Sequence, residues 1–219
     1  MAKPTGMIGP NKITVASDGA VEHAFQPVPF STKKEEVEVL IANDFIASMT
    51  QLMTAQGGTR WFMSNPVQNA ENDFDFTITL PDGMLAWLEL MEIAPLHLFG
   101  GYQHVPAKYK PFDFAKIIVG MIMKKAVHYP AASARELHLL TYITHWGFTP
   151  SESLIHLVRA FLIEEKHPFA GIYLYAPFEA GHGHGRVIAP VDPKQYAFFN
   201  PNELKENEVI NLNPAKWQL

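Results

Sequence analysis

The chain of 219 residues contains no cysteine. That excludes disulfides and thiolate metal sites, and it fits an expected cytoplasmic location. Long hydrophobic runs are also missing. The longest, Ile117 to Met123, is far shorter than the roughly 20 residues a membrane helix needs, so no membrane partner is expected. Met1 to Pro10 lack the charged and apolar regions of a secretory signal. An excess of basic charge is absent as well: 17 Lys and Arg stand against 22 Asp and Glu, a net charge of −5. Broad nucleic-acid affinity rests on neutralising phosphates, so contact with DNA or RNA is expected only through a local basic face. No Gly-x-Ser-x-Gly element is present for acyl transfer, and Gly100-Gly101 lacks the spacing of a dinucleotide loop. No internal repeat or low-complexity block interrupts the chain.

What is present suffices for one substantial core. Residues 1–30 read as a lead-in, 31–180 as a single α/β core domain, and 181–219 as an irregular tail in which Val187-Ile-Ala adds an edge strand. Ile13-Thr-Val-Ala and Val21-Glu-His-Ala-Phe suggest a small hairpin around Ser17-Asp18-Gly19. Thr32 and Glu35 form a capping-box pattern, followed by Val37, Leu40, Ile41, Phe45 and Met49 at helical spacing. A short strand is expected over Thr59 to Met63, stopped by Asn65-Pro66. Later come a helix over 112–129, a buried strand over 136–144, a helix after Thr149-Pro150-Ser151, and a strand from Gly171. Strands that alternate with helices favour parallel pairing, and the middle three favour antiparallel pairing. The expected fold is a mixed sheet between helices.

The segment Asp73 to Ile93 is the most informative. Leu80-Pro81-Asp82-Gly83-Met84 carries the residues of a three-residue hairpin loop, with glycine in the left-handed position. If Leu80 pairs with Met84, then Phe76 faces Leu88 and Asp75 faces Glu89. Facing residues share one side of the sheet, with Cβ atoms roughly 5 Å apart. Two carboxylates that close repel unless a cation or proton joins them. Oxygen ligands of this type suit magnesium or manganese. Asp73 is the competing first acid. A two-residue loop would instead put Asp75 opposite Leu90.

A lysine completes the pattern. Phe114, Ile117, Ile118, Met121 and Ile122 form the apolar stripe of the helix over 112–129, and Lys125 falls on that stripe. It either snorkels at the helix end or points its ammonium at the acids, where it would stabilise a phosphoryl transition state. Lys124 is its neighbour on the flank of the stripe.

Together these parts resemble the PD-(D/E)xK phosphodiesterase superfamily, the restriction-endonuclease-like fold, and more narrowly its bacterial families of unknown function. The αβββαβ order matches over roughly Thr32 to Thr144, with a further helix and strand as an extension. The resemblance implies a metal-dependent nuclease or phosphodiesterase using Mg2+ or Mn2+. Asp75 matches the first acid, with Asp73 as competitor, and Glu89 matches the second. The usual lysine position falls on Met91, and Lys125 matches the migrated lysine of some branches. A helix acid, Glu36 or Glu38, is also implied. The alternative implied by Met91 is a catalytically degenerate interaction or scaffold protein, as a homodimer or with another partner. His182-Gly-His184-Gly lacks further zinc ligands nearby and reads as an exposed flexible loop.

Overall fold

In a computed structural model, residues 8–58, 63–70, 74–106, 108–129, 135–179, 181–205 and 209–210 are described. A hairpin of β1 (Asn11–Val15) and β2 (Val21–Phe25) precedes helix α1 (Lys34–Ala55). Strands β3 (Ser64–Gln68), β4 (Phe76–Thr79) and β5 (Leu85–Glu92) follow, then β6 (Lys108–Tyr109) and helix α2 (Pro111–Ala126). The chain continues through β7 (Leu137–Tyr142), helix α3 (Glu152–Ile163), β8 (Gly171–Glu179), β9 (His182–Ala189) and β10 (Val209–Ile210). Six of these strands form one mixed sheet in the order β3-β4-β5-β7-β8-β9. Among the described residues no helix is long and apolar enough to cross a membrane.

The acidic hairpin folds in the register that its turn dictates. Gly83 takes a φ of 84°, and Leu80 N–H donates to Met84 O at 2.8 Å. Phe76 then pairs with Leu88 and Ile78 with Ala86. Pleating sends alternate residues to opposite faces of the sheet. Phe76, Ile78, Leu88 and Leu90 pack with Val37, Ile41, Phe45 and Met49 of α1. Leu137, Leu139, Ile172 and Leu174 pack with Ile118 and Ile122 of α2 and Leu154 and Val158 of α3. Strands β5, β7 and β8 are parallel, joined by crossovers through α2 and α3. The expected mixed sheet between helices is therefore present.

Three local expectations are corrected. The capping box does not form: Lys33 is the N-cap, without a side-chain cap, and Ser31 Oγ donates to Glu36 at 2.5 Å instead. Pro66 does not end a strand but lies inside β3, beside Asn65 at a φ of 51° and a register irregularity. An edge strand at a bulge tolerates both, because a missing ladder N–H there costs little. The expected strand over Thr59 to Met63 falls mostly outside the described residues.

The third correction concerns the expected irregular tail and flexible histidine loop. Residues 182–189 form a full strand paired antiparallel with β8. Its glycines admit neighbouring side chains rather than flexibility. A Cβ on Gly183 would lie 2.4 Å from Tyr175 Cζ, and one on Gly185 would lie 2.3 Å from Met49 Sδ. Tyr175 is fully buried, so its ring has nowhere to retreat. Gly183→Ala is expected to destabilise the fold by about 1–3 kcal/mol, as overpacking does. Urea unfolding checks this, and an unchanged midpoint would show that the ring has room to move.

Candidate functional site

Strand β4 is shorter than β5, and this difference makes the site. Glu89 to Glu92 extend past the start of β4 while pairing with β7 on the other side. On the open side the Leu90 N–H needs an acceptor, since a buried amide left unpaired is costly. Asp75 supplies it: its Oδ2 accepts from Leu90 N at 2.7 Å, while its main-chain oxygen accepts from Asn69 N at 3.0 Å. Lys125 holds the other half of the same residue, donating from Nζ to Leu90 O at 3.0 Å. The ammonium also pairs with Glu89 Oε2 at 2.6 Å. Asp75, Glu89 and Lys125 thus gather around one residue of β5. Asp73 lies outside the described residues.

Glu89 is only 4% exposed. Burial holds its carboxyl above the ordinary carboxylate range; Lys125 opposes that shift and the Asp75 charge adds to it. Tyr129, just past α2, also hydrogen-bonds to Glu89. Phe74 stacks on Tyr129 at 5.7 Å and on Trp87 at 4.9 Å, and Arg135 lies over the Trp87 ring at 4.5 Å. This stack sets where the Tyr129 hydroxyl sits.

Helix α1 contributes Glu38, buried on the side that faces the sheet. Lys34 reaches it at 3.1 Å one turn earlier. Burial raises the Glu38 carboxyl most, the Asp75 charge raises it further, and Lys34 and Lys125 oppose them. Of the two helix acids considered from sequence, Glu38 therefore shares the electrostatic field of the site. Glu36 points away, paired with Lys33 at 2.7 Å in solvent.

No family model matches the chain, and it matches no curated protein and no solved structure. Its chemistry therefore has to be argued from the side chains themselves.

Among the described residues, no group of three or more His, Cys, Asp or Glu is placed to hold a metal ion. The carboxylates present are nevertheless oxygen donors only, which suits a hard cation. Magnesium binds through one or two carboxylates, with waters and substrate phosphates completing its shell, and Asp75 and Glu89 are the carboxylates that could supply them here.

Glu92, three residues further along β5, belongs to a separate polar network. Its Oε1 accepts from Tyr102 Oη at 2.7 Å and from Thr144 Oγ1. His145 follows Thr144, and burial pushes its imidazole down to about 4. His145 Nδ1 accepts from Gly147 N at 2.9 Å, which closes the turn before α3. This network joins the ends of β5 and β7.

Sequence reasoning missed Tyr129 as a partner of Glu89. Its signal was present, because Tyr129 falls on the same helical spacing as Lys125. Tyr129→Phe keeps the stacked ring and removes one hydrogen bond to a buried charge. The expected outcome is a Glu89 carboxyl raised further and a stability loss of about 1–2 kcal/mol at pH 8. A carbon-13 NMR titration of labelled glutamate reads the first effect and urea unfolding the second.

Proposed function

We propose that the chain is a metal-dependent phosphodiesterase of the nuclease type, built on a restriction-endonuclease-like core. The observation that carries this reading is the gathering of Asp75, Glu89 and Lys125 around Leu90. The order of elements from α1 to β7 and the mixed sheet agree with it. Asp75 and Glu89 would hold Mg2+ or Mn2+, and Glu38 adds negative charge from the helix. When bound, such a cation neutralises phosphoryl charge and acidifies water. Lys125 would orient the attacking water and meet the charge that develops on the phosphoryl oxygens. The substrate would be DNA or RNA, approached through the local cationic groups Lys34, Lys124 and Lys125.

A second reading, a degenerate interaction protein, is favoured by a different observation. Lys125 already neutralises Glu89, and Lys34 already neutralises Glu38. Met91 also stands where the superfamily keeps its strand lysine.

Incubating the purified protein with Mg2+ or Mn2+ and a panel of DNA and RNA substrates decides between them. Cleavage that disappears in the Asp75→Ala Glu89→Ala double variant is expected. No cleavage above that control, together with no divalent-cation binding by calorimetry, selects the interaction protein.

A further inference from the structure

At the opposite edge of the sheet, between the end of α3 and the segment after β9, lies a cleft of about 220 Å³. It shares no lining residue with the Asp75 centre. Leu162, Phe169, Pro190 and Pro193 supply apolar walls, and Arg159 and His167 supply polar groups. An apolar concavity with a few convergent polar groups is the usual form of a small-molecule site.

Arg159 is available in a specific way. Arg159 is anchored, donating to Val187 O from Nε at 3.1 Å and from Nη2 at 2.5 Å. None of the ion pairs among the described residues includes it. A fixed guanidinium with no carboxylate partner and an uncommitted edge is suited to an anion. His167 lines the same cleft; burial lowers its pKa, against hydrogen bonds to the backbone at Phe169 and at His167 itself, so the ring is neutral and leaves Arg159 as the cation of the cleft.

We propose that this cleft binds a small apolar carboxylate. Its hydrocarbon or aromatic body lies against Leu162, Phe169 and Pro190, and its carboxylate meets Arg159. Glu165, also at the rim, disfavours ligands with a second negative charge. The site is independent of the nuclease reading and survives its failure.

The test uses the full chain labelled with nitrogen-15 and titrated with benzoate, with benzyl alcohol as the uncharged analogue. Saturable amide shifts confined to the cleft are expected, with a Kd on the order of 1 mM for so small a ligand. Arg159→Gln keeps a donor for Val187 O and removes the charge. It should weaken benzoate about tenfold or more, the effect of one charge-assisted hydrogen bond, and leave benzyl alcohol unchanged. Ala170→Trp places a ring at the exposed rim of the cleft and should abolish both. Shifts scattered over other basic residues, no saturation, or equal benzoate affinity in Arg159→Gln would each overturn the proposal.

Discussion

Lys125→Met is expected to destabilise the protein by about 3 kcal/mol at pH 8, the low end for breaking a buried ion pair by removing one partner. The low end applies because the lysine side chain keeps 24% exposure while Glu89 keeps 6%. Methionine preserves most of the apolar stem, so the loss comes from an uncompensated carboxylate and from the Leu90 carbonyl. The effect must depend on pH in one direction. Glu89 already has a carboxyl raised by burial, and the lysine restrains that shift. Without the lysine the folded state binds its proton more tightly than the unfolded chain does. Stability of the variant then falls as pH rises through the unfolded carboxylate value of about 4.5 and on through the raised folded value. Below that window Glu89 is protonated in both states and the electrostatic part of the loss vanishes. Adding Glu89→Leu to Lys125→Met should restore most of the stability, because an apolar pair replaces an unmatched charge. Urea unfolding at pH 4 and pH 8 measures both. A loss equal at the two pH values would mean that Glu89 is solvated in the folded protein.

The same pair shows what was legible in the sequence. The register of the hairpin could be read because Pro81-Asp82-Gly83 leaves few turn geometries, and Leu80 and Met84 pair as that turn requires. Lys125 could be read because a charge on an apolar stripe contradicts the helix period. The identical argument selects Glu38, which lies on the α1 stripe with Ala42, Phe45 and Met49, but the sequence reading left it level with Glu36. What no local pattern could supply was the reach of that helix over the end of β4. This depends on tertiary packing of Val37, Ile41 and Phe45 on the sheet. Only the Val187-Ile-Ala end of strand β9 was expected, and its first half was missed for a related reason. Gly183 and Gly185 read as loop residues, yet their role is to make room for Tyr175 and Met49, which are distant in sequence. Pro66 in β3 was likewise misread, because only the sheet order shows that β3 is an edge.

The largest expected effect on activity comes from isosteric amides rather than alanines, because they separate chemistry from folding. Asp75→Asn keeps an oxygen to accept from Leu90 N–H, so the contact between Asp75 and β5 should hold. Asp75→Ala leaves that amide without its acceptor and should cost about 1–3 kcal/mol of stability. Glu89→Gln leaves Lys125 with its bond to Leu90 O, and the remaining ammonium is partly solvated, so stability should stay within about 1 kcal/mol of wild type. Each amide removes one negative charge from a set of two that would hold the cation. Under the proposed phosphodiesterase reading, either amide should lower cleavage by about a thousandfold, equivalent to roughly 4 kcal/mol in the barrier. The raised carboxyl of Glu89 adds a second signature: cleavage by the wild type should rise with pH as that carboxyl ionises, since only the carboxylate binds a cation. Rate against pH for wild type, Asp75→Asn and Glu89→Gln, each with its urea midpoint, checks the set. Amide variants that remain folded and cleave at the wild-type rate would remove Asp75 and Glu89 from the chemistry and leave them as clasps for Leu90 and Lys125.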